Sequence, residues 1–448
     1  MVEQMLLSDL LRILDDSEAM ELCEYIDEVN AIDVAELIRE LDDQHVWKLC
    51  SLLDEERLAK VLEQTDAEQS VRMAASITND ELIDVFSYMQ KDDIVDLIGE
   101  IPVAQRKMLI KQMQEGDRST IQTLLKYPED SAGGIMTTAY ISLSDYNTVS
   151  QGMAKIRQIA NKIEVIETIF IVNAKHQLVG TANLRQFLTA QKNEQLKDIM
   201  KENPIYVHPE DDQEEVAKLV SRYDLNAIPV VNNKGAILGI ITVDDVIDVI
   251  VEEYNEDMLE MAGVSKEESL TTTLGESIRL RLPWLLINLL TAFLASLTVK
   301  AFESTIAQVV ALSSTMTIVS GMGGNAGTQT QSIMVRQLAQ DDISTAKYVK
   351  AFFKEIKLAI IDGTVNGLVT GVIVWAIYGN FFLGVIMLIA MIGNLVVSGV
   401  FGFVVPLILK KIGADPAVSS SIFVTTATDV LGFFIFLGLA QLFLPYLI

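Results

Sequence analysis

Over the first 130 residues, apolar positions recur three and four apart with acidic positions between them. Examples are DVAELIREL from 33, RLAKVLEQ from 57, ELIDVFSYM from 81 and DIVDLIGEI from 93. The period is helical and each stretch is short, which predicts stacked short helices forming an all-α superhelix or small bundle over residues 1–130. Near residue 131 the pattern changes to two copies of one unit. The β-branched runs IFIV from 169 and IPVV from 228 are each followed by turn residues, a second strand and a closing helix. Met136 and Met200 open the copies 64 residues apart, and Gly180 and Gly239 recur 59 apart. This predicts a tandem α/β pair, 131–192 and 193–250. The stretch DDVIDVIVEEYNEDMLEMAGV then continues as an acidic amphipathic helix, so that 251–270 connects the α/β pair to the apolar remainder of the chain. Five apolar segments close the chain within residues 271–448, near 282–302, 306–335, 352–378, 381–409 and 418–447. Each exceeds the roughly 20 residues that a helix needs to cross a bilayer.

Charge separates the two halves. Residues 271–448 hold eight acidic and ten basic side chains, leaving 53 acidic and 24 basic in residues 1–270 of a chain whose net charge is −27. A long acidic soluble region therefore precedes a five-span membrane region, and no nucleic-acid partner is expected. The start, MVEQMLLSDLLRILDDSEAM, has neither a basic leader nor a small-residue cleavage site, so the acidic half is expected in the cytosol. With the first span entering from that side, Arg279, Arg281, Arg336, Lys347, Lys350, Lys354, Lys357, Lys410 and Lys411 flank the inner ends, and Lys300 alone lies outside. Basic residues mark the cytosolic side, and an odd number of spans leaves the C-terminus outside a cytoplasmic membrane. Cys23 and Cys50 show no metal-ligand spacing and read as reduced structural thiols. The soluble half shows no nucleophile, Gly-rich phosphate loop or histidine constellation, so an enzyme is not expected.

Intramembrane chemistry centres on the last span. Ser421, Thr425 and Asp429 recur every fourth residue and line one stripe of a helix. A charge near the bilayer centre costs about 2.5–3.5 kcal/mol on insertion scales, so Asp429 is expected to face protein or water and to mark an ion pathway. SGMGGNAGTQTQ, 320–331, places Asn325, Thr328, Gln329 and Gln331 among glycines at membrane depth, where such a segment lines a cavity or packs closely on another helix. Gly363, Gly367 and Gly371 read as a packing seam, and the neighbouring Asp362 as a carboxylate paired with Lys357. All three histidines lie in the soluble half. A carboxylate framed by hydroxyl and amide oxygens, without sulfur or imidazole, suits a hard cation such as Mg2+. In the connecting helix, Asp245, Asp248, Glu252 and Glu256 share one face, where like charges repel unless a cation, a basic partner or solvent offsets them.

The repeated α/β units resemble a tandem pair of cystathionine-β-synthase (CBS) domains, which commonly bind adenine nucleotides. The second carries Gly-x-x-Thr-x-x-Asp as Gly239, Thr242 and Asp245, whereas the first has Asn183 and Gln186 at the corresponding places. ATP at Thr242 and Asp245 is left open by this pattern, because Asp245 does not obviously serve nucleotide and metal together. GMGGNAGTQ, GFVVPLILKKIGADPA (402–417) and FVTTATDVLGFFIFLGLA (423–440) resemble the signature segments of the MgtE family of magnesium channels and transporters. One departure is that SSTMTIVS precedes the glycines where the family usually has a proline. The resemblance covers the whole order of parts: acidic N domain, CBS pair, connecting or plug helix, and five spans. It implies a homodimer in which Asp429 is the pore aspartate, Asn325 the pore-lining asparagine and Asp415 a residue of the cytosolic mouth. It further implies regulatory Mg2+ ligands among Asp92, Asp93, Asp96, Asp245, Asp248, Glu253, Glu256 and Asp257. The expected function is magnesium uptake that closes when cytosolic Mg2+ bridges these carboxylates. The rivals are a Co2+, Mn2+ or ion-coupled transporter and a non-conducting membrane sensor.

Overall fold

Eight helix starts in the N-terminal region fall 12 residues apart, at Asn30, Asp42, Asp54, Asp66, Thr78, Gln90, Pro102 and Gln114. The first five of these side chains accept a hydrogen bond from a backbone N–H of the first turn, satisfying a donor that the helix itself cannot. In the computed structural model, which describes residues 2–16, 19–160, 163, 165–270, 272–340, 345–417 and 420–448, the resulting elements are short. They are α1 (Val2–Asp16), α2 (Ala19–Glu28), α3 (Ala31–Ile38), α4 (Asp43–Leu52), α5 (Glu55–Leu62), α6 (Ala67–Ala75), α7 (Asn79–Phe86), α8 (Lys91–Glu100), α9 (Val103–Gln112) and α10 (Glu115–Leu124). From α3 to α10 each helix packs on the one two further along, which is a superhelix. Side chains such as Leu49, Leu58, Met73, Leu82 and Ile98 fill its axis. Most acidic residues stay outside, several held by bridges between turns, as Arg39–Asp66 at 2.8 Å and Arg72–Asp43 at 2.7 Å. The two cysteines are free; Cys50 is buried, and burial pushes its thiol up to about 12, which leaves it inert at neutral pH.

The two α/β units follow as expected, with one exchange. The first holds β1 (Ser142–Ser144), α11 (Val149–Ile159), β2 (Thr168–Val172), β3 (Leu178–Asn183) and α12 (Leu184–Thr189). After α13 (Leu196–Ile199) and β4 (Lys201–Glu202) come α14 (Gln213–Tyr223), β5 (Ala227–Val231), β6 (Ile237–Thr242) and α15 (Val243–Met261). β1 pairs parallel with β2, which pairs antiparallel with β3, and β5 pairs antiparallel with β6. Met200 opens the second copy in sequence, yet β4 beside it pairs with β3 of the first. Thr137, beside Met136, bridges Ile240 in β6 of the second. The repeated glycines make this possible. A Cβ on Gly180 would sit 2.6 Å from the sulfur of Met200, and one on Gly239 would sit 2.6 Å from the carbonyl oxygen of Thr137. Each unit thus receives the leading segment of the other.

Residues group into two compact units, Met1–Ile250 and Val251–Ile448. The second contains α16 (Leu274–Ala301), α17 (Glu303–Gln308), α18 (Ala311–Gln340), α19 (Thr345–Tyr378), α20 (Phe381–Lys411), α21 (Ser420–Leu442) and α22 (Leu444–Leu447). Among the described residues, α16, α19, α20 and α21 are long and apolar enough to cross a membrane. α18 has the length, at 30 residues, but its glycines, hydroxyls and amides set it apart from the apolar four. α20 is the hub, packed by α18, α19 and α21. The α19 seam is confirmed as a close approach: Cβ atoms on Gly363, Gly367 and Gly371 would meet α20 backbone atoms of Ile392, Leu388 and Gly384 at 2.7, 2.9 and 2.6 Å. Asp362 lies exposed, and among the described residues no ion pair joins it to Lys357. Five positions apart on a helix, the two side chains point about 140° away from each other.

Candidate functional site

The polar stripe of α21 takes the predicted form. Ser421, Thr425 and Asp429 are half-buried, with Ile422, Val424 and Thr428 packed inward between them. Thr425 Oγ1 donates to the Ser421 carbonyl at 2.8 Å, leaving its lone pairs available. The Asp429 carboxylate is met by α18, where the Ser320 hydroxyl donates to Oδ1. Asn325 does not fill that place: it is exposed on the single chain. Five residues from Ser320, it projects from a different side of α18. Gly324, one turn from Ser320, is the residue beside Thr425, 3.8 Å from a Cβ built there. Thr328 and Gln329 are exposed and Gln331 is fully buried.

Three buried polar side chains of the bundle are not apparent from sequence. Glu355 on α19 is 8% exposed, with the Thr330 hydroxyl of α18 3.4 Å from its carboxylate. It continues the stripe of Ala359 and Gly363 at four-residue spacing, a signal obscured by the surrounding lysines. Asn394 and Ser398 on α20 are fully buried and bond to α18 backbone carbonyls.

Three of the acidic residues singled out in the soluble half lie near one another. The α8 residues Asp92 and Asp96 lie near Asp245 at the start of α15 and near Glu129. The buried Thr137 hydroxyl bonds to Asp92, whose Oδ1 is buried and has no partner among the described residues. Burial, then the neighbouring Asp92, Glu129 and Asp245, pushes the Asp96 carboxyl up to about 7. Burial is also the main cause for Asp245, at about 6, opposed by bonds from Thr242 and reinforced by Asp244 and Asp92. Asp96 nonetheless keeps more than a third of its surface open, so solvent weakens its share of the repulsion. Thr242 is 2% exposed and its hydroxyl donates to Asp245 at 2.6 Å, an arrangement that caps α15. Asn183 and Gln186 build the matching capping box at α12. Asp248 is exposed on α15, and Asp93 is half-buried.

A second acidic group lies within the other unit. Glu256 pairs with Lys266 at 3.1 Å. Burial, then Asp415, Glu256 and Asp257, pushes the nearby Glu260 up to about 7. The sequence pattern does not single out Glu260, although it extends the acidic face of α15 by one turn. Asp415 is exposed, and its Oδ1 accepts from the Ala417 N–H at 2.6 Å in a turn around Pro416. Glu253 is half-buried. Among the described residues no three Asp, Glu, His or Cys side chains converge enough to enclose a bare metal ion. Magnesium retains several waters and takes one or two carboxylates, so an unpartnered Asp92 oxygen beside mutually repelling carboxylates fits a hydrated divalent cation.

Comparison with known proteins identifies the family to which these segments belong. A family profile described as divalent cation transporter, MgtE, matches residues 316–439, the MgtE intracellular N domain matches 29–130, and the CBS domain matches 196–252. The magnesium transporter MgtE of Bacillus subtilis is 33% identical over 335 residues, 75% of this chain and 74% of that protein. The magnesium transporter MgtE of Thermus thermophilus is 32% identical over 330 residues, 73% of each chain. The soluble part of a magnesium transporter superposes with a TM-score of 0.53 at 28% identity, covering 56% of this chain and 99% of that one. The cytosolic domain of the Mg2+ channel MgtE in complex with ATP gives 0.52 at 30% identity, covering 54% and 99%. With its helical N domain, CBS architecture and apolar C-terminal helices, this chain belongs to the MgtE family of divalent cation transporters.

Proposed function

We propose that the protein is a homodimeric, magnesium-selective channel for Mg2+ uptake across the cytoplasmic membrane, with five spans, a cytosolic N-terminus and an external C-terminus. The observation that carries this reading is Asp429: a carboxylate in an apolar helix, oriented by Ser320 and continued by the Thr425 and Ser421 oxygens. Ser320 occupies one lone pair of Oδ1 and leaves the carboxylate otherwise able to accept from the water shell of a cation. Asn325, exposed on one chain, is available to line the path opposite a second copy, and Asp415 lies at its cytosolic mouth. Magnesium is the substrate, drawn inward by a membrane potential that is negative inside.

Gating follows from the acidic groups. Asp92, Asp93, Asp96, Asp245 and Asp248 in the soluble unit carry like charge and repel one another when ionised, as do Glu253, Glu256, Asp257 and Glu260 on the rest of α15. Bound Mg2+ supplies the compensating charge that favours their compact, closed arrangement. The ion must bind the closed state more tightly for this to work, and several weak sites together provide that difference. The ATP complex of a 30% identical cytosolic domain favours a nucleotide at the CBS pair as a further ligand. Thr242 contacts it only if the Thr242–Asp245 pair opens.

Magnesium influx into proteoliposomes, compared for wild type, Asp429→Ala and Asp429→Asn with assembly checked, tests the pore. Both variants are expected to lose flux by an order of magnitude or more. Retained selective flux in both removes Asp429 from the path, and absent wild-type flux at low internal Mg2+ favours a sensor.

A further inference from the structure

Asn394 on α20 is fully buried between α18 and α21, outside the polar stripe that faces the ion. Its Nδ2 donates to the Val319 carbonyl at 2.7 Å, whereas its Oδ1 is buried and has no partner among the described residues. Two glycines make room for the amide. A Cβ on Gly323 would lie 2.2 Å from Nδ2, and one on Gly432 would lie 2.6 Å from Oδ1. One turn along α20, the Ser398 hydroxyl bonds to the Gly323 carbonyl at 2.7 Å and to the Asn394 carbonyl at 2.8 Å.

The two α18 carbonyls held in this way, of Val319 and Gly323, bracket Ser320, whose hydroxyl donates to Asp429. Gly432 follows Asp429 by three residues on α21. The amide therefore sits within one turn of both members of the Ser320–Asp429 contact. Its orphaned oxygen makes it a poor device for stability, since an apolar side chain of the same shape leaves no buried acceptor unpaired. It does supply direction. Apolar helices in lipid pack through non-directional contacts and rotate against one another at little cost, whereas a hydrogen bond to one named carbonyl fixes rotation and axial register.

We propose that Asn394, assisted by Ser398, is a positioning residue for ion selection, holding α18 at the rotation that keeps Ser320 on Asp429. This rests on the reading of Asp429 as the pore carboxylate. A pinned carboxylate presents one fixed spacing to a hydrated ion, and a loosened one accommodates ions of other sizes. Loss of Asn394 is therefore expected to change discrimination between ions, not only throughput.

The test uses the full-length protein in proteoliposomes, with Mg2+ and Ca2+ influx read by an encapsulated dye and melting followed in detergent. The set is wild type, Asn394→Leu, Asn394→Ser, Ser320→Ala, the Asn394→Leu/Ser320→Ala double variant and Asp429→Asn. Asn394→Leu is expected to melt no lower than wild type while its Mg2+/Ca2+ influx ratio falls about tenfold. Asn394→Ser, still a donor but shorter, is expected to retain part of the ratio. The double variant is expected to be no less selective than Ser320→Ala alone, because Asn394 acts through Ser320. An unchanged ratio in Asn394→Leu overturns the proposal. So does failure of that variant to assemble, or an equal loss for both ions with lower melting, since each makes the amide merely structural. Multiplying losses in the double variant overturn it as well. Wild-type Mg2+ influx through Asp429→Asn instead removes the pore reading itself, whatever Asn394 does.

Discussion

Replacing Asp245 by asparagine should stabilise the soluble half of this protein when divalent cations are absent. The folded environment lifts the Asp245 carboxyl from 3.8 to about 6, chiefly by burial and then through Asp244 and Asp92. At about 1.4 kcal/mol per pH unit, holding it ionised costs the folded state about 3 kcal/mol above that range. Asparagine removes this cost and can still accept from Thr242, though a neutral acceptor gives up about 1 kcal/mol relative to a charged one. The net gain is about 2 kcal/mol, or roughly 4–8 °C in melting temperature for a domain of this size. The sign of the pH dependence is fixed by the direction of the displacement. A raised carboxyl binds its proton more tightly folded than unfolded, so its contribution is fully present below 3.8 and is lost as pH rises through about 6. Asp96, at about 7, adds a weaker loss of the same sign. Melting of a soluble fragment spanning residues 1–261 would be followed from about pH 4 to about pH 8, in chelator or in millimolar MgCl2. Wild type and Asp245→Asn should coincide at the acidic end and diverge as pH rises, and magnesium should raise wild type more than the variant. A variant that melts at or below wild type at the alkaline end, without metal, refutes the idea that burial and the neighbouring carboxylates make an ionised Asp245 costly to the fold.

Other consequences are separable from this one. Thr78→Ala, which removes the hydroxyl of a complete capping box, should cost about 1 kcal/mol, whereas Gln114→Ala, at a start without a side-chain cap, should leave melting unchanged. Gly371→Ala would force a methyl group to 2.6 Å from the Gly384 carbonyl oxygen and should lower the melting temperature of the purified full-length protein, at a cost of about 1–3 kcal/mol. Gly275→Ala, which meets nothing within 4 Å, should be neutral or slightly stabilising in the same melt. Glu268 has the opposite pH sign from Asp245: bonds from Arg281 and then Ser277 hold its carboxyl below the usual range. Its clasp on α16 should therefore be present above about 4.5 and lost on acidification, so Glu268→Gln should speed limited proteolysis of 262–270 at neutral pH but not in acid.

Much of the fold was legible because its signals are local and periodic. Helical spacing with acidic interruptions marked the superhelix, but its 12-residue repeat emerges only from the caps, since the cap residue varies from Asp54 to Thr78 to Pro102. The two α/β units were readable from IFIV and IPVV, whereas their exchange of leading segments was not, because strand pairing between distant residues leaves no period in the chain. In the membrane half, the Ser421, Thr425 and Asp429 stripe follows from the α-helical repeat alone. The partner of Asp429 requires the rotation of a neighbouring helix. That rotation brings Ser320 to the carboxylate and turns Asn325 outward. Glu260 and Glu355 escape sequence reasoning for a related cause: an acidic residue beside other charges looks solvated until its burial is known.

The exchange of Met136 and Met200 also bears on how the pair can be inherited or engineered. Each sheet borrows its neighbour's leading segment, so neither repeat is a self-sufficient module. A chimera joined near residue 192 would inherit one parent's glycine notch and the other's methionine plug. Transplantable units begin near residue 131 and end near 250, and the repeats must change together.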